Sequence, residues 1–86
     1  MISKKVTLAN PTGLHARPAA QLAQFCKKFP EKIILSGNGK DADPKSIIQL
    51  MGAGLKKGTE LEVKVEGANE ASVCDEVVKF LESLSE

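Results

Sequence analysis

Hydrophobic and polar positions alternate in two stretches of the chain, which is typical of strands with one buried face. In residues 2–8 the apolar side chains alternate with Ser, Lys and Thr, and in residues 59–66 Leu and Val alternate with Glu and Lys. The run 32–36 is short and β-branched, and the Gly-Asn-Gly sequence at 37–39 predicts a tight hairpin with a return strand at 40–42. We therefore predict a sheet that is covered on one side only.

Apolar residues recur at helical spacing in three other segments. The first predicted helix covers 16–28, with Pro18 in its first turn, where a missing N–H is harmless, and Pro30 beyond its end. A two-turn helix follows residues 43–46, and a third helix begins after Asn69, which we expect to be its N-cap. The order β-α-β-β-α-β-α predicts an α+β two-layer sandwich, which the pattern alone does not distinguish from a ferredoxin-like arrangement.

Length and charge exclude several classes of protein. The chain has 86 residues, so we expect one domain over residues 1–86 with no second core. Its 12 basic and 11 acidic residues give a net charge of +1, and it contains 3 Phe with no Trp or Tyr. Nucleic-acid binders usually carry a basic excess or aromatic platforms, so we expect no such partner. No leader-like segment and no apolar run of ~20 residues is present, which predicts a cytoplasmic protein without membrane insertion.

The two cysteines, Cys26 and Cys74, each fall within a predicted helix and lie far apart in sequence. We expect reduced thiols that are buried or half-buried, although one disulfide is arithmetically possible. One histidine and two distant cysteines do not supply the converging ligands of a metal site, so we expect no metal and no cofactor. A Cys26–His15 nucleophile pair is disfavoured because three helical turns, roughly 16 Å, separate the two residues.

His15 is the single histidine, and it lies between Gly13 and Arg17 at the predicted start of the first helix. The first amides of a helix lack intrahelical partners and, together with the helix dipole, bind anions. Arg17 adds donors for phosphate oxygens, and both effects favour a neutral imidazole that can act as a nucleophile near pH 7. We expect His15 to accept a phosphoryl group, while Ala16 and Arg17 at the helix start hold its oxygens.

Ser46 is a second candidate site, at the predicted start of the two-turn helix. Its simplest role is that of a helix cap, and its functional role is that of a phosphorylation site, because phosphate is favourable at a helix N-terminus. The apolar residues that follow are either all core or in part an exposed docking surface: Ile47, Ile48, Leu50 and Met51. Lysines at 27, 28, 56 and 57 either improve solubility or steer an acidic partner toward that surface.

Two motifs resemble those of one known family. Residues 12–19, TGLHARPA, resemble the active-site motif of the HPr family, the histidine-containing phosphocarriers of bacterial phosphotransferase systems, and residues 45–47 resemble its regulatory serine motif. The resemblance implies an open-faced β-sandwich, in which a four-stranded antiparallel sheet is covered on one side by three helices. It also implies a phosphocarrier and not an enzyme: enzyme I phosphorylates Nδ1 of His15, and the phosphoryl group passes to enzyme IIA domains for sugar uptake.

The resemblance assigns further residues and partners. Arg17 matches the phosphate-binding arginine, and Ser46 matches the serine that an HPr kinase/phosphorylase modifies in many Gram-positive members, which creates a co-repressor for a transcriptional regulator. We expect a monomer whose partner-binding surface comprises Ala20, Gln24, Lys27, Ile47, Ile48 and Met51. The alternatives are a nitrogen-related phosphorelay, a binding module controlled at Ser46, and an RNA-binding α+β domain, which the charge and the few aromatic residues disfavour.

Overall fold

The computed structural model describes residues 1–11, 13, 14 and 16–84. Within these residues the elements occur in the predicted order: β1 (Ile2–Thr7), α1 (Ala16–Lys27), β2 (Lys32–Gly37), β3 (Lys40–Ala42), α2 (Ile47–Gly52), β4 (Glu60–Glu66) and α3 (Glu70–Glu82). The predicted bounds of β1, α1, β2 and β4 each differ from these by one residue. None of the helices in the described ranges is long and apolar enough to cross a membrane.

The strands form one sheet with the order β1-β4-β2-β3, and each neighbouring pair is antiparallel. Val6 of β1 lies opposite Leu61 of β4, and Leu35 of β2 lies opposite Val63 of β4. In a ferredoxin-like sheet the first and third strands are central, whereas here the second and fourth strands are central. The sheet order therefore decides between the two arrangements that the hydrophobic pattern left open.

One face of the sheet is buried beneath the helices. On β4, Leu61, Val63 and Val65 are fully buried, while the glutamates and the lysine between them stay exposed or half-buried on the other face. α3 packs on β1 and β4, and α1 contacts both α2 and α3. The rings of Phe25 in α1 and Phe80 in α3 stack with centroids 4.5 Å apart. The fold is thus an open-faced β-sandwich, as the resemblance implied.

The hairpin between β2 and β3 follows the prediction from its Gly-Asn-Gly sequence. Asn38 and Gly39 both have positive φ, 54° and 74°, which is the conformation of a two-residue type I′ turn. Ser36 Oγ donates a hydrogen bond to Asp41 Oδ1 at 2.6 Å across the same hairpin. The turn residues therefore set the register in which Gly37 lies opposite Lys40.

Both cysteines are buried as thiols and neither forms a disulfide. Burial raises the pKa of the Cys26 thiol to about 12, although the Lys45 ammonium nearby opposes the shift. Burial also raises the pKa of Cys74, whose Sγ donates to Val63 O at 3.6 Å. The expectation of buried thiols is confirmed, and both cysteines belong to the core.

The start of α3 differs in one detail from the prediction. Asn69 is the N-cap residue, but its side chain makes no capping hydrogen bond, because its ψ of 36° lies outside the extended conformation of a typical N-cap. Its backbone N–H instead donates to Glu31 Oε2 at 3.2 Å, and Glu31 is only 5% exposed. A buried carboxylate from the segment before β2 thus fixes the chain where it enters α3.

Candidate functional site

α1 begins at Ala16, the residue that follows His15 in the sequence. Thr12 and His15 lie outside the described residues, so the site is defined by the residues on either side of them. Ala16 and Arg17 are exposed, and Pro18 in the first turn is buried. The prediction that the helix starts next to His15 is confirmed.

The backbone of Ala16 is in an unusual conformation. Its φ is +48°, in the left-handed region that residues other than glycine rarely adopt. A side chain in this region costs roughly 1–3 kcal/mol, which the surrounding structure must offset. Backbone conformations of this kind occur preferentially at functional sites, and this one directly follows His15.

The first turn of α1 favours an anion. It contains no acidic residue, so nothing in its own sequence neutralises the positive end of the helix dipole. Arg17 adds an exposed guanidinium, which presents several N–H donors in a fixed planar arrangement. The helix start thus combines an unneutralised dipole with an exposed guanidinium, and phosphate binding by Ala16 and Arg17 stays a prediction.

The segment before α1 is tied together by its backbone and by one buried side chain. Gly13 N donates to Asn10 O at 3.1 Å, and Asn10 Nδ2 donates to Gly13 O at 2.7 Å. Leu14 N donates to Leu55 O at 2.8 Å, and Leu14 is 1% exposed. The hydrophobic pattern of the sequence did not predict the burial of Asn10 or the bond between Leu14 and Leu55. The turn residues Asn10, Pro11 and Gly13 indicate a change of direction there, but not which segment packs against it.

Ser46 is the N-cap of α2, as predicted. Its Oγ accepts a hydrogen bond from Gln49 N at 3.3 Å, and its own N–H donates to Asp43 O at 2.9 Å. Gln49 Oε1 reaches back and accepts from Asp43 N at 2.9 Å, which resembles the reciprocal pattern of a capping box. The side chains of Ser46 and Gln49 therefore both stabilise the start of this short helix.

α2 buries one side chain and exposes three apolar ones. Leu50 is fully buried, whereas Ile47, Ile48 and Met51 are 39%, 85% and 37% exposed. The interpretation that all four belong to the core is wrong, because a helix of 6 residues packs only one side against the protein. We call Ile47, Ile48 and Met51 the α2 patch.

The residues of α1 that we predicted to bind partners lie on the outer side of the helix. Gln24 and Lys27 are exposed and Ala20 is half-buried, and their spacing of four and three residues places them along one face. α1 contacts α2, which carries the α2 patch. Both helices therefore carry exposed side chains at the predicted partner-binding positions, whose role stays a prediction.

Lys45 connects the segment before α2 to the segment after α1. Its Nζ donates to Phe29 O at 2.6 Å and to Glu31 O at 3.1 Å. The half-buried ammonium thus donates to two backbone carbonyls, so Lys45 joins the segment before α2 to the segment after α1.

Among the described residues, no three His, Cys, Asp or Glu side chains come together as metal ligands.

Comparisons with known proteins agree on one family. A family model described as "PTS HPr component phosphorylation site" matches residues 2–83. The Phosphocarrier protein HPr of Vibrio cholerae is 36% identical over 84 residues, which cover 98% of this chain and 99% of that protein. The crystal structure of HPr-C-His from Thermoanaerobacter tengcongensis is similar with a TM-score of 0.91 at 34% identity, covering 96% of this chain and 93% of the other.

The crystal structure of an HPr dimer from Thermoanaerobacter tengcongensis is also similar, with a TM-score of 0.74 and 34% identity over 96% of this chain and 95% of the other. The family model and the relatives span nearly the whole chain, and the fold is the same open-faced sandwich. The chain belongs to the HPr family of phosphocarrier proteins of the phosphotransferase system.

Proposed function

We propose that the protein carries a phosphoryl group on His15, which it accepts from phosphorylated enzyme I and passes to enzyme IIA domains in sugar uptake. The observation that supports this most directly is the start of α1. The helix begins at the residue after His15, its first turn contains Arg17, and no acidic residue lies in that turn. Family membership adds that the chain is a phosphocarrier and not a catalytic enzyme.

The proposed transfer needs little covalent chemistry from the protein. The neutral imidazole of His15 attacks phosphorus through the lone pair of Nδ1, and the bond between phosphorus and the donor atom breaks as the new N–P bond forms. Charge spreads over the three equatorial oxygens during this step. The N–H groups of the helix start and the Arg17 guanidinium would stabilise that charge during the transfer. After the transfer, the same groups would bind the phosphoryl oxygens on His15 until an acceptor docks.

Labelling with enzyme I tests the proposal. The protein is incubated with enzyme I and radiolabelled phosphoenolpyruvate, beside the variant His15→Ala and the control Gln21→Ala, an exposed residue of α1. We expect acid-labile label on the wild type and on the control, and none on His15→Ala. Thermal unfolding of each variant shows that it is folded. Label retained on folded His15→Ala would refute the proposal.

Ser46 offers a second function, control of docking by phosphorylation. It caps α2 directly before the α2 patch, so a phosphate there would add a charge of about −1.5 to −2 beside that surface. The variants Ser46→Asp and Ser46→Asn form a matched pair: the two new side chains have similar size and both cap helices well, but only Asp adds a charge. We expect Ser46→Asp to raise the KM for enzyme I about tenfold, because a charge beside the apolar α2 patch would lose water when a partner covers that patch, and Ser46→Asn to leave the KM unchanged. Equal KM values for the two would exclude charge control.

We further propose that residues 1–86 act as one monomeric cytoplasmic domain and that partners dock on α1 and α2. The proposed surface combines Ala20, Gln24 and Lys27 of α1 with the α2 patch, which supplies its apolar part. Light scattering distinguishes a monomer of 9.2 kDa from a dimer, the state named for the Thermoanaerobacter structure. A mass twice that of the chain would overturn the monomeric state.

A further inference from the structure

Gly13 lies against the backbone of the segment that follows α2. Its φ of +61° favours glycine, and a Cβ at this position would lie 2.3 Å from Leu55 O and 2.7 Å from Lys56 Cα. These are backbone atoms, which cannot rotate away as the end of a flexible side chain can. Ordinary contact would require the two segments to separate by about 1 Å. Gly13 is thus required by its torsion angle and by the close approach of a second chain segment.

The segment that Gly13 contacts, residues 55–59, is bonded to both ends of the loop before α1. We call residues 55–59 the support loop. The connecting hydrogen bonds run from Leu14 N to Leu55 O (2.8 Å), from Leu8 N to Thr59 O (3.0 Å) and from Gly58 N to Leu8 O (2.6 Å). Leu8, which follows β1, and Leu14, two residues before α1, are therefore both held by the support loop.

The support loop is stabilised by its own hydrogen bonds. Thr59 N donates to Lys56 O at 3.1 Å, and Lys56 N donates to Thr59 Oγ1 at 3.2 Å, so the loop is closed by two hydrogen bonds. The side chains of Leu14 and Leu55 are 1% and 2% exposed, and separation of the two segments would bring both into water. The support loop thus has a defined backbone conformation where Gly13 and Leu14 pack against it.

We propose that Gly13 and the support loop position the segment that carries His15, and that this positioning sets the rate of phosphoryl transfer. The inference rests on the proposed phosphocarrier function. Leu14, which precedes His15, is hydrogen-bonded to the support loop, and Ala16, which follows it, is the first residue of α1. One sequence neighbour of His15 is thus fixed to the support loop and the other belongs to a helix. A displacement of about 1 Å can slow a positioned reaction by up to 10²-fold.

Gly13→Ala tests this inference, and Gly39→Ala is the matched control. Gly39 has a φ of +74°, close to that of Gly13, but a Cβ there would meet no atom within 4 Å. The control thus adds the same torsional strain without the contact. In steady-state transfer from enzyme I, we expect Gly13→Ala to lower kcat by about tenfold or more. KM should stay within about twofold of the wild type, because the proposed docking residues of α1 and α2 are unchanged.

A backbone variant covers the case in which Gly13→Ala does not fold. Residues 1–25 are synthesised as a thioester in which the α-hydroxy acid analogue replaces Leu14, and they are ligated to a fragment of residues 26–86 that begins with Cys26. The ester lacks the N–H that donates to Leu55 O, and every side chain remains. We expect kcat about tenfold below that of the ligated all-amide protein, with unchanged KM.

The outcomes separate the inference from the function on which it rests. A wild-type protein that accepts no phosphoryl group overturns the proposed function and the inference with it. A wild type that is phosphorylated, beside folded variants with wild-type kcat, overturns the inference alone. A rise in KM with constant kcat would also overturn the inference, because the support loop would then affect docking and not the transfer step. If Gly13→Ala does not fold, the ester variant decides.

Discussion

At the scale of single residues, Arg17 and Ser46 occupy comparable positions on different helices. Arg17 lies in the first turn of α1 and Ser46 caps α2, so each is next to backbone amides that lack intrahelical partners. Arg17 adds a fixed positive charge, whereas Ser46 gains charge only if it is phosphorylated. The proposed carrier site is thus permanently suited to an anion, and the proposed control site only when modified.

Arg17→Ala should slow phosphoryl transfer from enzyme I by about 10²-fold, the usual loss when one donor to the developing charge is removed. Arg17→Lys should recover part of the rate, because lysine keeps the charge but lacks the planar set of donors. Rapid-quench measurement of label on His15 gives both rates. A wild-type rate in Arg17→Ala would show that the guanidinium takes no part in the transfer.

The Cys26 thiol should make the protein less stable in alkali. Its pKa rises from an ordinary 9.0 to about 12 on folding because of burial. The unfolded chain therefore loses this proton first, so the stability that the thiol contributes is complete below pH 9 and is lost as the pH rises toward 12. Urea unfolding measures the free energy of unfolding at pH 7 and at about pH 10.5. Between these two pH values, Cys26→Ala should lose less of that free energy than the wild type does. Equal losses would exclude Cys26 as the cause.

At the scale of elements, α2 has a buried side and an exposed apolar side within one short helix. Leu50 belongs to the core, and Ile48, two residues earlier, is 85% exposed. The capping bonds of Ser46 and Gln49 hold the helix at its start, so the α2 patch does not need to be buried for the helix to form. An exposed apolar group of this kind is typical of a protein-binding site.

Leu50→Ala should therefore affect stability, and Ile48→Ala should affect binding. Loss of the buried Leu50 side chain should lower the free energy of unfolding by about 2–5 kcal/mol. Ile48→Ala should change it by less than about 0.5 kcal/mol, and it should weaken enzyme I binding by about 1 kcal/mol or more. Urea unfolding and calorimetric titration measure the two quantities. An Ile48→Ala protein that binds as the wild type does would exclude this residue from the interface.

At the scale of the whole molecule, a few polar contacts join segments that are distant in sequence. Lys45 bonds the carbonyls of Phe29 and Glu31, and the Glu31 carboxylate accepts from Asn69 N. Lys4 of β1 pairs with Asp75 of α3, which lowers the pKa of that carboxyl and accounts for a lysine on the side of β1 that faces the helices. These contacts connect the helices to one another and to the edge of the sheet.

Lys45→Met should lower the free energy of unfolding by about 2 kcal/mol, because two partly buried carbonyls lose a charged donor while the apolar stem is kept. Lys57→Met, at an exposed position, is the control and should change it by less than about 0.5 kcal/mol. Denaturant titration of both variants provides the comparison. Similar values would mean that water replaces the Lys45 ammonium at little cost.

Sequence reasoning predicted the elements because their signals are local. Pro18 marks the first turn of α1 and Pro30 lies beyond its end, the Asn38-Gly39 pair predicts the hairpin, and Ser46 predicts the start of α2. The sheet order was not predictable from the pattern, because alternation in β1 does not show that it pairs with β4. For the same reason the sequence did not predict the contact between Gly13 and Leu55, which joins segments about forty residues apart. Local chemistry was visible in the sequence, and support from distant segments was not.

For the proposed docking surface, the small size of the α2 patch has a kinetic consequence. A partner would cover three apolar side chains on a helix of 6 residues there, and interfaces of low area are typical of transient encounters. A carrier that uses one surface for its donor and its acceptors has to leave the first before it meets the second. Short residence times would then raise the flux through the relay, and a tighter patch would hold the carrier on one partner and slow delivery.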